Sequence, residues 1–182
     1  MKIALHVCCA PCLAGTLPPF TGLGHVVPFF YNPNIHPLLE FRKRLKAVEV
    51  FAEREKIEVT FDRTYGLQRF LALVPPDGAG RCALCYRERL GRTAQYAAEI
   101  GADAFSTTMV SSTYQDHEAI RRAGERAAAE SGVEFTYLDL RGRSAEGLAI
   151  AKKMSLYRQQ YCGCILSEYD RYKDTNVEIH RA

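Results

Sequence analysis

Apolar and polar positions along this chain follow two periods, near 2 and near 3.6 residues, and the alternation between them predicts strands and helices in turn. Lys2–Val7 reads as a strand and runs straight into Cys8-Cys9-Ala10-Pro11-Cys12. Residues 26–31 (Val-Val-Pro-Phe-Phe-Tyr) predict a second strand, in which Pro28 removes one ladder donor. It ends in Asn32-Pro33-Asn34-Ile35-His36-Pro37, a loop dense in turn residues. From Leu38 to about Lys56 the period is helical, with Leu39, Leu45, Val48 and Ala52 among the apolar positions and basic residues opposite. Ile57–Phe61 is strand-like and Leu67–Val74 a short helix, closed by the Pro/Gly-rich loop 75–80. A helix then runs from the Cys82/Cys85 pair to about Ile100, followed by a strand at 104–110 and a polar loop at Ser111–Gln115. A helix at 116–130, a strand at 134–140 and a helix at 144–154 complete the pattern.

Strands alternating with helices predict an α/β fold: a parallel sheet covered on both faces, three layers in a single domain over residues 1–182. Ligands of such sheets gather at the carboxyl ends of the strands. The Cys8–Cys12 segment, the Asn32–Pro37 loop and the Ser111–Gln115 loop are all expected there.

At 182 residues the chain is long enough to bury a core without disulfide staples. The opening apolar run is too short for a signal peptide, and no stretch approaches the ~20 apolar residues of a membrane span. A cytoplasmic location is therefore expected, with no membrane partner. The net charge of +3 permits an RNA partner without demanding one.

Composition alone says little more, but the seven cysteines change the picture. They fall in three clusters: Cys8, Cys9 and Cys12; Cys82 and Cys85; Cys162 and Cys164. In a reducing compartment such clusters mean metal or catalysis more often than structural disulfides. Cys82-x-x-Cys85 at a helix start can aim two thiolates at one metal, and Cys8-Cys9 can add two more. Four thiolates suit either a [4Fe–4S] cluster or structural zinc. Cys162-Gly163-Cys164 favours a compact, readily reduced disulfide, with further metal ligation as the alternative. Cys12 is the odd thiol: a ligand to a second metal, a resolving thiol, or a buried residue.

Other residues divide between chemical and structural readings. Asp116 stands where a helix N-cap belongs, yet with His117 it is also an acid/base candidate. His6, on an interior strand, reads as a satisfied core residue, whereas His36 reads as a substrate contact. Asp139 and Arg141 fit catalysis or an ion pair equally well. Tyr31, Tyr86, Tyr114, Tyr157 and Tyr161, near Arg87, Arg89 and Arg158, suit base stacking and phosphate contact. The chain has neither a Gly-x-x-x-x-Gly-Lys-Ser/Thr loop nor a Gly-x-Gly-x-x-Gly fingerprint, so electrons are expected from an outside donor.

Several motifs standing in order carry a family likeness. They are residues 6–12 (His-Val-Cys-Cys-Ala-Pro-Cys), 31–37 (Tyr-Asn-Pro-Asn-Ile-His-Pro), and Arg81-Cys82-x-x-Cys85-Tyr86-x-x-Arg89-Leu90. Residues 105–108 (Phe-Ser-Thr-Thr) and 157–164 (Tyr-Arg-Gln-Gln-Tyr-Cys-Gly-Cys) complete the series. Over nearly its full length the chain resembles the QueH-type, cobalamin-independent epoxyqueuosine reductases. The resemblance implies a fold of the adenine-nucleotide α-hydrolase-like (HUP) group and reduction of epoxyqueuosine to queuosine at the wobble position of tRNA. DNA is not implied as a partner. By the family pattern Cys8, Cys9, Cys82 and Cys85 would hold a [4Fe–4S] cluster, and Cys12 would ligate an additional mononuclear iron. Cys162 and Cys164 would form the redox-active pair, Asp116, His117 or Tyr161 would supply a proton, and Asn32, Asn34, His36, Tyr86 and Arg158 would contact substrate. Two rivals use the same thiolates: an ATP-dependent tRNA-thiolating enzyme, and a zinc-stabilised RNA-binding module.

Overall fold

The computed structural model describes residues 1–75 and 77–175; Pro76 of the expected 75–80 loop and the end of the expected domain, 176–182, lie outside them. Five parallel strands form one sheet in the order β3-β2-β1-β4-β5. They are β1 (Lys2–Val7), β2 (His25–Tyr31), β3 (Thr60–Asp62), β4 (Ala104–Thr107) and β5 (Glu134–Phe135). Seven helices are described: α1 (Ala10–Thr21), α2 (Leu38–Glu55), α3 (Leu67–Leu73), α4 (Arg81–Glu99), α5 (His117–Ser131), α6 (Ser144–Lys153) and α7 (Ile165–Tyr172). The α/β prediction holds. β1, at the centre, is buried along Ile3–Val7, as a strand covered on both faces must be. Pro28 is tolerated because β3 joins β2 only from Phe29 onward, leaving a free edge beside the proline.

The strand order reverses between β1 and β4, whose carboxyl ends are Val7 and Thr107. A crevice opens at such a switch point, and Cys8 and Thr108 are the first residues beyond the two strands.

Several expected boundaries move. The predicted 104–110 strand stops at Thr107, whose hydroxyl accepts the Met109 N–H and turns residues Thr108–Ser111 into a 3-10 turn. The predicted 134–140 strand pairs only over Glu134–Phe135; beyond it the chain touches its neighbour at isolated points, Thr136 N–H to Phe105 and Leu140 N–H to Val110. The expected 57–61 strand begins at Thr60, because Lys56 takes a left-handed conformation that ends α2. On α2, Leu39 is exposed, and the buried stripe is Phe41, Arg44, Leu45, Val48 and Ala52.

Two helices were not predicted, α1 and α7. In α1, Pro11 lies in the first turn, where the missing N–H leaves no bond unmade. The helix packs backbone to backbone on α6: a Cβ on Gly147 would stand 2.2 Å from the Pro11 carbonyl oxygen, and one on Gly15 would stand 2.8 Å from that of Arg143. No helix among the described residues is long and apolar enough to cross a membrane.

Candidate active site: three thiol groups at the switch point

β1 delivers Cys8 and Cys9 to the crevice, and α1 adds Cys12. Cys9 is extended (φ −168°, ψ 164°) and occupies the N-cap position of α1, which places Cys12 one turn further on. The three Sγ atoms all lie within 4.8 Å of one another. The Thr108 hydroxyl, just beyond β4, donates to Cys8 Sγ at 3.2 Å, and the Cys8 N–H donates to Thr108 Oγ1 at 3.1 Å. Hydrogen bonds from Cys12 and Cys9 hold the Cys8 thiol well below its ordinary pKa. Burial pushes the Cys9 thiol up, and the bond to Cys8 raises that of Cys12. Within the trio the negatively charged form is therefore favoured at Cys8 over Cys9 and Cys12. Cys12, whose role the sequence leaves open, is part of this group.

Cys82 and Cys85 sit in the first turn of α4, which Gly80 enters in a left-handed conformation (φ 67°). Cys82 is exposed and Cys85 half-buried. Burial pushes the Cys85 thiol up to about 12, against the opposing pull of Arg89. Asn34 Nδ2 donates to Cys85 Sγ at 3.1 Å, and Arg89 Nε donates to Asn34 Oδ1 at 2.6 Å. Arg89 is buried, and its Nη2 has no partner among the described residues.

The third group rests on Gly163, whose φ of 149° favours glycine. Arg44 anchors this segment from α2: Nη1 donates to the Cys162 carbonyl at 2.8 Å and Nη2 to that of Tyr161 at 2.9 Å, while Nε pairs with Glu40 at 2.6 Å. His36 holds it from the other side, its N–H on the Gly163 carbonyl at 2.7 Å and its own carbonyl accepting the Tyr161 hydroxyl at 2.6 Å. Cys162 is exposed, Cys164 is buried, and all seven cysteines are free thiols.

Cys8, Cys12 and Cys162 open into one cavity of about 640 Å³, with Arg44, Arg89 and Tyr161 also in its wall. Of the expected substrate contacts, Asn32, Asn34, His36 and Tyr86 are buried behind that wall. Asn32 donates to the Val7 carbonyl at 2.8 Å, and Arg158 is exposed outside the lining. Asp116 caps α5 through the Ala119 N–H at 2.9 Å. His117 bonds Tyr137 and the Ser112 carbonyl, both at 2.8 Å. His6 is fully buried with both ring nitrogens bonded, as a satisfied core histidine should be. Asp139 and Arg141 form an ion pair. The sequence reading missed Arg44, Thr108 and two glutamines: Gln159 Nε2 donates to Cys9 Sγ at 3.1 Å, and Gln115 Nε2 to Cys162 Sγ at 3.2 Å. Each left a signal: Thr108 and Gln159 stand in the motifs 105–108 and 157–164, Gln115 ends the polar loop expected at the site, and Arg44 is a charged residue with Glu40 four positions back inside an apolar stripe.

Fold and site together define an α/β protein with a five-stranded parallel sheet whose first crossover carries soft thiol donors. The sequence model described as Epoxyqueuosine reductase QueH matches residues 3–170, and the chain belongs to that family of oxidoreductases. The Epoxyqueuosine reductase QueH of Dehalococcoides mccartyi is 39% identical over 176 residues, covering 96% of this chain and 97% of the relative. Its counterpart in Thermotoga maritima is 35% identical over 191 residues, covering 98% and 96%. Among solved structures, the U34-tRNA thiolase NcsA from Methanococcus maripaludis with its [4Fe-4S] cluster superposes with a TM-score of 0.53 at 13% identity. That match covers 94% of this chain but 64% of the thiolase, and it bears on the fold alone.

Proposed function

We propose that this protein reduces epoxyqueuosine to queuosine at the wobble position of tRNA, in the cytoplasm, with electrons from an external donor. One observation beyond family membership carries the reading: thiols from separate stretches of the chain, Cys8 and Cys12 from one and Cys162 from another, face a single cavity. Epoxide deoxygenation takes up two electrons and two protons; both C–O bonds break, a C=C bond forms, and water leaves. Oxidation of the Cys162/Cys164 dithiol to a disulfide releases two electrons and two protons, so the stoichiometry closes. The external donor then reopens the disulfide.

The donor set fits an iron–sulfur centre: the thiols are soft ligands, the Sγ atoms of Cys8, Cys9 and Cys12 lie within 4.8 Å of one another, and Cys9 and Cys85 receive N–H donors of the kind that tune such centres. A [4Fe–4S] cluster on Cys8, Cys9, Cys82 and Cys85, with a mononuclear iron beside it on Cys12, would supply Lewis acidity toward the epoxide oxygen and one-electron transfer. Tyr161 is the proton donor we favour, because it lines the same cavity as Cys162. Asp116 serves by capping α5, which holds the Ser111–Gln115 loop in place. Arg158 meets the tRNA backbone, while Asn32, Asn34, His36 and Tyr86 shape the pocket from behind.

The test is to incubate anaerobically prepared protein with epoxyqueuosine-containing tRNA and a strong reductant, then analyse the nucleosides. Queuosine is expected from the wild type. Cys162→Ser is expected to lose turnover and keep its iron absorbance. No conversion by iron-replete wild type sinks the proposal, and loss of iron from Cys162→Ser makes Cys162 a metal ligand instead.

A further inference from the structure

Two side-chain amides at the site are each fixed in one orientation by a neighbour. The Tyr86 oxygen accepts the Asp116 N–H at 3.3 Å, which commits its single proton to Gln115 Oε1 at 2.8 Å. With its oxygen engaged there, Gln115 turns Nε2 onto Cys162 Sγ at 3.2 Å. A flipped amide would set N–H against O–H and aim an oxygen at the sulfur. Arg89, Asn34 and Cys85 repeat the same logic. The Gln115 chain, however, ends on the thiol assigned to exchange electrons.

We propose that Gln115 is a positioning residue for Cys162: held by Tyr86, its N–H keeps the sulfur facing the cavity and stabilises the dithiol over the Cys162–Cys164 disulfide. The inference rests on the dithiol reading above. Cys162 is exposed beside the cavity and Cys164 is buried, so closing the S–S bond draws Cys162 away from Gln115. Hydrogen-bonding to the reduced sulfur therefore opposes closure. For a bond of ordinary strength at a partly exposed site, its loss favours the disulfide roughly fivefold. That corresponds to a midpoint about 20 mV more negative for a two-electron couple.

The full-length protein is equilibrated anaerobically in dithiothreitol buffers of graded ratio, quenched in acid and alkylated. As the pair oxidises, two thiols lose two electrons and two protons to form one S–S bond, and oxidised dithiothreitol takes them up. The tryptic peptide Gln159–Arg171 contains Cys162 and Cys164 and no other cysteine, so it reports this pair alone. Gln115→Leu and Gln115→Glu both remove the donor and are expected to shift the equilibrium roughly fivefold toward the disulfide. Gln115→Glu keeps the acceptor for Tyr86, so a shift there reports the lost N–H rather than lost packing. Tyr86→Phe frees the amide to turn and moves the midpoint the same way. A wild-type pair that titrates while both Gln115 variants keep its midpoint overturns this inference alone. A pair that never forms a disulfide overturns the dithiol reading and this inference with it.

Discussion

Replacing Arg44 by methionine tests the buried ion pair from which the guanidinium reaches the Cys162 segment. Arg44 and Glu40 are both buried, and the carboxylate's other partner is the Tyr157 hydroxyl. Arg44→Met keeps the stem but leaves the carboxylate without its counter-charge. Removing one partner of a buried pair costs about 3–5 kcal/mol. The two freed carbonyls, at Tyr161 and Cys162, lie near solvent and rehydrate, so they add little. A loss of about 3–4 kcal/mol is expected, which lowers Tm by about 10 °C in a chain of this size. Arg44→Lys keeps the charge but cannot reach three acceptors with one planar fork, and should cost about 2 kcal/mol. Adding Glu40→Gln to Arg44→Met removes the stranded charge and should recover about 1–2 kcal/mol. Urea unfolding followed by far-UV circular dichroism measures all four proteins, with equal m-values as the check on two-state behaviour. A loss below about 1 kcal/mol for Arg44→Met, or no recovery in the double variant, refutes the reading of Arg44 and Glu40 as a buried pair that depends on both partners.

Gly147→Ala should cost about 2–3 kcal/mol by thermal or urea unfolding, since its Cβ would meet the Pro11 carbonyl at 2.2 Å, and neither backbone can yield without moving the helix that carries Cys12. Gly91→Ala, in α4 with nothing within 4 Å of the new Cβ, is the control and should stabilise by about 0.5–1 kcal/mol; equal effects at the two sites would defeat the close-packing argument. Burial lowers His36 to about 4, so the folded state keeps it neutral while the unfolded chain takes up a proton below about 6.5. Its contribution is present above pH 6.5 and lost as pH falls toward 4; between pH 7.5 and 5 the wild type should therefore lose about 2 kcal/mol more stability than His36→Gln, and equal losses would rule out His36 as the cause.

What the sequence shows and hides has physical causes at particular residues. The strands β1 and β2 and the helices α2 and α4 are legible because each buries one periodic face or run, and periodicity is a local property. Helix α1 is hidden because Gly15, Pro18 and Pro19 interrupt its pattern. Its stability comes instead from Gly15 meeting Gly147 across more than a hundred residues of chain. The missed helix is also why the role of Cys12 stayed open: read as a loop, residues 8–12 give Cys12 no direction, whereas in the first turn of α1 Cys12 follows Cys9 by three positions and joins its thiol group. The loop asparagines and His36 were ambiguous for a different reason. A polar side chain beside a site either meets the ligand or satisfies buried donors, and composition cannot separate the two. The structure supplies their protein partners: Asn34 lies between Arg89 and Cys85, and the His36 N–H meets the Gly163 carbonyl. Both loops that flank the crevice thus act on sulfur at one remove, the Asn32–Pro37 loop on Cys85 and on the Cys162–Cys164 segment, and the Ser111–Gln115 loop on Cys162. Because the donors that set each sulfur's environment come from different strands and helices than the sulfur itself, the chemistry of this site depends on the strand order β2-β1-β4 as much as on the cysteines.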